Sequence, residues 1–228
     1  MNHEMDVSRE TFDWARDWES RLRERVAAVG SGSGDHELNG LVVFARLVLE
    51  RNQRLHLVSQ RHPEREVVKQ IVDSAAALSV LNVPARCRLL DVGSGAGIPG
   101  MIFKIMRPDL NLISLDSSPK KIEFQAHACG QLSLSAEFCQ ADFRRAEVDP
   151  KVDLVIVKAL GLHREIVRKA SAWLLSEGRL IFMEGRTPNP EIQASIKRSK
   201  SFSKVAETLR YSLTGFAGER HLVVLAKS

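Results

Sequence analysis

Four polar positions in this chain stand where apolar runs end: Asp91 after Leu89-Leu90, Asp116 after Leu112 to Leu115, Asp142 with Phe143 just beyond Ser135 to Cys139, and Lys158 after Val152 to Val157. The first is followed by Gly93-Ser-Gly-Ala-Gly-Ile-Pro-Gly100. Glycines admit positive φ and let a ligand approach the backbone, while amides opening a helix favour electron-rich groups. Strand, tight loop and helix in that order make a small-molecule site. An acid at the end of the second strand can accept hydrogen bonds from both ribose hydroxyls of a nucleoside cofactor. Gly95-Ala-Gly-Ile-Pro-Gly100 formally satisfies the dinucleotide fingerprint with Asp116 downstream. Asp91 and the extra Gly93 argue the other way, because a carboxylate there sits poorly beside a pyrophosphate and well beside an amino group. That favours S-adenosylmethionine over a dinucleotide. Asp142 taken alone reads equally well as a turn former or helix cap.

The elements that position these residues follow from periodicity. Helical spacing runs over about 8 to 29 through Phe12, Trp14, Trp18, Leu22, Val26 and Val29, over about 37 to 50, and from Pro63 through Val67, Val68, Ile71, Val72 and Leu78. Gly30-Ser-Gly-Ser-Gly34 predicts a flexible loop, and Arg51 to Pro63 a polar, basic connection. From 87 onward the pattern alternates. Candidate strands are Cys87 to Asp91, Leu110 to Asp116, Ser135 to Cys139, Val152 to Val157, Gly178 to Glu184, Lys204 to Ser212 and His221 to Lys227, with helices at about 98 to 107, 118 to 130, 163 to 175 and 189 to 199. Strands such as Leu154-Val-Ile-Val157 are apolar on both faces, as a covered parallel sheet requires. The pattern predicts an α/β, Rossmann-like doubly wound sheet whose last two strands form an antiparallel edge pair, with residues 1–84 as a helical layer and 85–228 as the sheet domain. In such a sheet ligands bind beyond the carboxyl ends of the strands, where the four polar positions fall.

Bulk properties bound the alternatives. No apolar run approaches the roughly 20 residues of a membrane span, and the acidic N-terminus with Glu4, Asp6, Glu10 and Asp13 has no signal-peptide character, so a cytoplasmic protein without membrane contact is expected. Cys87, Cys129 and Cys139 are odd in number and lack metal-type spacing, so reduced thiols and no metal are expected. The net charge of +5 is concentrated late in the sequence, residues 186 to 228 carrying 8 basic and 3 acidic side chains. A polyanionic partner suits that distribution.

Three runs carry a family resemblance: Leu90-Asp-Val-Gly-Ser-Gly-Ala-Gly-Ile-Pro-Gly100, Leu115-Asp-Ser-Ser-Pro-Lys-Lys-Ile-Glu-Phe124 and Gly218-Glu-Arg-His-Leu-Val-Val224. With them go Asn52, Leu57, Arg61 and Pro63, and Val68-Lys-Gln-Ile-Val-Asp-Ser74. The chain from about 40 to 226 thereby resembles the bacterial glucose-inhibited division protein B family. That resemblance implies a class I methyltransferase fold with a seven-stranded, mostly parallel sheet. It implies methyl transfer from S-adenosyl-L-methionine to a guanine N7 in small-subunit (16S) ribosomal RNA. The cofactor set it implies is Asp91, Gly93, Ser94, Gly95, Gly97, Asp116, Ser117, Asp142, Phe143 and Lys158. Its RNA-facing set is Arg51, Asn52, His56, Arg61, Lys69, Lys120, Lys121, Arg220 and His221. His221 reads equally as a strand residue with a packed or solvated ring. The partner expected is ribosomal RNA or the small ribosomal subunit, met by a monomer.

Four positions depart from the family pattern. Lys158 stands for the arginine of a Ser-Arg-Ala run, which keeps the charge but loses the planar fork. Gln70 stands for a histidine, His56 for the asparagine of an Asn-Leu-Thr run with Val58 in place of its threonine, and Asp142 for an arginine. An acid at the last position is common in methyltransferases generally, where it accepts from the adenine amino group. Guanine N7 presents a lone pair and no proton, so alignment and water exclusion rather than a general base would drive the reaction. Lys158 is the candidate to orient the base or a phosphate, with a solvated lysine as the plainer reading. Because of the departures, two alternatives stay open: the same methyltransferase fold acting on another RNA position, a protein or a small molecule, and a non-catalytic RNA-binding or assembly protein.

Overall fold

A computed structural model describes residues 13–30, 34–202 and 204–227. The expected helix over 8 to 29 therefore lies partly outside the described residues, as do Phe12 and the centre of the Gly30–Gly34 run. Three helices come first: α1 (Trp14–Ala28), α2 (Asp35–Leu55) and α3 (Pro63–Val80). The alternating part follows as β1 (Arg88–Val92), α4 (Gly100–Met106), β2 (Asn111–Asp116), α5 (Pro119–Gln131), β3 (Glu137–Gln140), β4 (Val152–Lys158), α6 (His163–Trp173), β5 (Leu174–Glu184), α7 (Pro190–Ile196), β6 (Val205–Ser212) and β7 (Glu219–Ala226). All seven candidate strands are present. Proline at the first turn opens α3, α5 and α7, where its missing N–H costs nothing.

The strands form one sheet in the order β3-β2-β1-β4-β5-β7-β6. The first five run parallel, and β7 runs antiparallel to both β5 and β6. Strand order reverses between β1 and β4, which makes their carboxyl ends the switch point where ligands bind in such sheets. Period-two alternation gives the central strands two apolar faces. Leu89, Leu112, Ile156, Ile181 and Val224 join one core with α1 to α5, while Leu90, Leu115, Val155, Phe182 and Val223 join the other with α6 and α7. The N-terminal helices thus share a core with the sheet. Trp18, Leu22 and Val26, spaced four apart, form the buried stripe of α1. Arg25 fastens that helix to the β6–β7 turn: its guanidinium donates to the Gly215 carbonyl at 2.9 Å and lies over the Phe216 ring.

Two boundaries differ from expectation for physical reasons. α2 continues to Leu55 rather than stopping near 50, because Val48 and Asn52 extend its buried stripe by another turn. β5 begins at Leu174, directly after α6, and its register against β4 breaks between Leu174 and Arg179. Gly178 makes that irregularity possible, since a Cβ there would stand 2.8 Å from Leu174 Cδ2 and 3.1 Å from the Asp153 carbonyl. No helix among the described residues is long and apolar enough to cross a membrane.

Trp173 closes α6 and anchors the second core, with 1% of its surface exposed and its indole N–H donating to the Ala146 carbonyl at 3.2 Å. Trp173→Ala is expected to lower the unfolding free energy by about 3–5 kcal/mol in chemical denaturation. Trp173→Phe, which keeps most of the packing but strands the carbonyl, should cost about 1–3 kcal/mol.

Candidate active site at the carboxyl edge of the sheet

The loop from Gly93 to Pro99 is shaped by close approaches. Gly93, Gly95 and Gly97 have φ of 70°, 56° and 84°, a region that side-chain-bearing residues rarely adopt. A Cβ on Gly97 would lie 2.7 Å from Met101 Cγ, and one on Gly100 would lie 2.7 Å from Asp91 Oδ2. Asp116 holds the loop from the side. Its Oδ2 accepts from the Gly95 amide and its Oδ1 from the Ser118 amide, each at 2.9 Å. Each carboxylate oxygen keeps a second lone pair, so further hydrogen bonds remain open. Gln125 reaches across from α5, its Nε2 donating to Ser94 Oγ at 2.8 Å and to the Gly95 carbonyl at 2.9 Å.

Asp91 does not face an open cavity. It is 1% exposed beneath the loop, where its Oδ2 accepts from the Gly100 amide at 2.8 Å. This corrects the expectation of direct contact with a cofactor amino group: the side chain follows the β1 alternation inward, toward α4. Burial pushes its carboxyl up to about 7, against the opposing pull of the Gly100 amide and the Lys158 ammonium.

Lys158 ends β4, and it is not a solvated lysine. Its Nζ is buried 2.9 Å from Asp73 Oδ2 on α3, at ion-pair distance but outside hydrogen-bonding angles. Asp73 Oδ1 in turn accepts from the Tyr211 hydroxyl of β6 at 2.8 Å. The next residue, Ala159, takes a left-handed φ of 56°, a strain that places the backbone turn directly after the lysine.

Lys158 and Ala159 border three cavities. One of about 370 Å³ runs past Gly93, Asp116, Ser117, Asp142 and Phe143. A second, about 260 Å³, lies between the glycine loop and Val58, Glu66 and Gln70. A third, about 320 Å³, opens over β5 and β7 beside His163, Glu184, Tyr211 and Arg220. The structure therefore brings Gly93, Ser94, Gly95, Asp116, Ser117, Asp142, Phe143, Lys121, Arg220 and Lys158 around one junction. Asp142 is engaged there: the Arg144 amide and guanidinium both donate to it and hold its carboxyl below the usual range.

The remaining expected residues fall elsewhere. Arg51, Arg61 and Lys120 are exposed and line none of these cavities, and Lys69 pairs with Glu66 at 3.5 Å. His56 is the exposed, left-handed cap of α2, where a basic loop had been expected to face RNA. Asn52 is buried instead of surface-facing, because its Oδ1 accepts from the Val58 amide at 2.8 Å and organises the turn after α2. His221 is buried in β7 with Nδ1 3.0 Å from the Gly185 carbonyl, which makes it a strand residue and not a surface contact. Sequence reasoning missed the pair His163 and Glu184, whose Nε2 and Oε1 stand 3.0 Å apart. Glu184 is the terminal residue of β5, so the strand-end rule that found Asp91 and Asp116 would have reached it.

The sequence matches the GidB family profile, described as rRNA small subunit methyltransferase G, over residues 37–223. A protein named ribosomal RNA small subunit methyltransferase G from Syntrophotalea carbinolica is 32% identical, the alignment covering 92% of this chain and 98% of that protein. One of the same name from a Geobacter species is 31% identical over 91% of this chain and 96% of its own length. Among solved structures, a SAM-dependent methyltransferase from Aquifex aeolicus superposes with a TM-score of 0.56 at 13% identity, covering 70% of this chain and 92% of that one. At that identity the likeness shows the fold alone.

Two buried groups make stability depend on pH. Asp91 is raised from 3.8 to about 7, so the folded state holds its proton where the unfolded chain has lost it, and stability falls as pH rises across that interval. Asp91→Asn, which keeps an acceptor for Gly100, should flatten this slope in denaturation curves taken between pH 4 and 8. The hydrogen bond that the His163 imidazolium donates to Glu184 raises its pKa above 6.5, so its contribution is full below 6.5 and disappears as pH climbs through the raised value. Glu184→Gln should therefore cost more stability at pH 6 than at pH 9; an equal cost at both would show that the pair does not titrate.

Proposed function

The chain belongs to the rRNA small subunit methyltransferase G family, and from that premise we propose that it methylates a guanine N7 of 16S ribosomal RNA in the small subunit, acting as a cytoplasmic monomer with S-adenosyl-L-methionine as donor. The observation that carries this reading is the convergence on Lys158 of a glycine-loop cavity and two neighbouring cavities at the switch point of the sheet.

The residues present suit such a cofactor. Asp116 offers the spare lone pairs of two carboxylate oxygens to a ribose, and its amide bonds to Gly95 and Ser118 fix both oxygens in place. Phe143 and Leu160 supply apolar walls for a purine in the same cavity, with Asp142 at its rim. Open backbone at Gly95, where a Cβ would meet only the Gly93 carbonyl at 3.8 Å, leaves room for close approach. Asp91 acts one step back by holding the Gly100 amide and hence the exit of the loop. When bound, S-adenosylmethionine supplies a methyl group activated by its sulfonium, so the protein's task is placement.

Guanine N7 has no proton to surrender, and no residue at the junction needs to act as a base. Lys158 presents a positive charge at the junction of the three cavities, anchored by Asp73 so that its position is set before RNA arrives. It serves as an orienting donor toward the base or an adjoining phosphate. Arg220, bordering the third cavity, extends that field toward the incoming RNA. Arg51, Lys69 and Lys120 lie on α2, α3 and α5 and Arg61 in the turn between α2 and α3, where they contribute charge at longer range, while Lys121 borders the cavity of Asp116.

Incubation with labelled S-adenosylmethionine, small subunits and free 16S RNA, followed by nucleotide mapping, tests the reading: label should appear at a guanine N7, and label confined to protein or to another base would refute it. Asp116→Ala removes hydrogen bonds worth about 1–3 kcal/mol in total. It is expected to weaken cofactor binding by about 10–100-fold in calorimetry.

A further inference from the structure

The face of the sheet opposite α1 to α5 carries a cationic cleft that the reaction does not use. Its volume is about 580 Å³, between α6 and the turn that follows α7. Arg164, Arg168, Arg198 and Lys200 line it, with one acid, Glu165. Among the described residues none of these four cations takes part in an ion pair. Arg164 and Arg168 stand four apart on α6, a like-charge spacing that destabilises a helix unless an anion comes between them. Val167 lies in the wall and belongs to the core that packs α6 against Ile192 and Ile196 of α7, so the cleft is held between two docked helices.

Of the serines in the wall, Ser171 and Ser195 donate to the Arg168 and Glu191 carbonyls, while Ser199 adds a hydroxyl to the donor set. Ser199 Oγ accepts from the amides of Ser201 and Phe202, each at 3.1 Å, which fixes the turn and leaves its proton to be donated. Guanidinium forks, an ammonium and serine hydroxyls are the groups that bind phosphate oxygens. The cleft is also joined to the active site. A hollow of about 400 Å³ adjoins it, lined by Gly161, Leu162, Arg164 and Arg198 together with two acids, Glu165 and Glu191. Leu162 borders the cavity of Asp116, and Gly161 borders the cavity of Arg220.

We propose that this cleft is a phosphate-binding groove for the RNA strand that flanks the target nucleotide. The inference rests on the RNA methyltransferase reading above. RNA seated at Lys158 would then be held from both helical layers: by the cations of α2, α3 and α5 on one side of the sheet edge, and by those of α6 and of the turn after α7 on the other. It also gives a use to part of the late-sequence basic excess, since Arg198 and Lys200 fall within it.

Two double variants test the groove, Arg164→Gln/Arg198→Gln and Arg164→Glu/Arg198→Glu. Both positions are exposed, so the fold and the affinity for S-adenosylmethionine should match the wild type in thermal unfolding and calorimetry. Binding to small subunits or 16S RNA is then followed against potassium chloride concentration. The glutamine pair should lower the slope of log K against log salt by about 1 to 2, since each phosphate contact contributes about 0.7–0.9. The KM for RNA should rise about tenfold, more for the glutamate pair, with kcat unchanged because the groove touches no reacting atom. Unchanged slope and KM in both variants overturn the groove while leaving the methyltransferase reading intact. A wild-type protein that transfers no methyl group to RNA or subunits overturns that reading itself. Titration with inorganic phosphate separates the remaining case: tight phosphate binding lost in the variants, with RNA parameters unaltered, would mark a small-molecule site and refute the RNA groove.

Discussion

A lysine ammonium withdrawn from water at the end of a central strand has to meet a carboxylate, and in this protein that requirement ties three distant parts of the chain together. Lys158 comes from β4, Asp73 from α3 and the Tyr211 hydroxyl from β6. Removing a charge from water is costly unless a partner meets it. The docking of α3 and of the edge hairpin therefore bears directly on where the lysine stands. What resembles an accessory helical layer in the sequence is the source of the counter-charge for the residue at the centre of the site. The same contact keeps the lysine out of solvent and ready beside the cavities it borders, with little conformational freedom left to lose when RNA binds.

The glycine loop is governed by a second constraint, lack of room. Asp91 occupies the space that a side chain on Gly100 would need, and Met101 occupies that of Gly97. The loop is therefore packed from beneath by its own continuation and pinned from the side by Asp116 and Gln125. Its open surface lies at Gly95. A buried acid that resists ionisation is acceptable below the loop because it serves an amide there, and a protonated carboxyl can still accept from one.

Legibility in the sequence followed the range of the interaction. The positions of Asp91, Asp116 and Lys158 near the carboxyl ends of strands were legible because each follows an apolar run, a local signal that strand geometry converts directly into position, whereas the inward aim of Asp91 was not. The parallel core, the antiparallel edge pair and the proline-opened helices were legible on the same terms. Asn52 and His221 were misjudged because polarity alone cannot distinguish a surface contact from a buried group whose partner, the Val58 amide or the Gly185 carbonyl, is supplied by folding. The Asp73–Tyr211 bond spans 138 positions, and no periodicity announces a contact of that kind. His163 and Glu184 stayed hidden for a related reason: the histidine opens a helix and the glutamate ends a strand, and only the crossover between β4 and β5 sets them side by side.

The strand order has a consequence for lesions in the gene. β7 follows every other strand in the sequence yet is inserted between β5 and β6, and β6 touches the sheet only through it. A stop codon or frameshift falling between residues 213 and 219 would therefore remove one strand from the polypeptide but two from the sheet. With β6 adrift, Tyr211 would leave Asp73, and the damage would reach Lys158 more than fifty residues upstream of the lesion. A late truncation of this enzyme would injure its centre and not merely its rim.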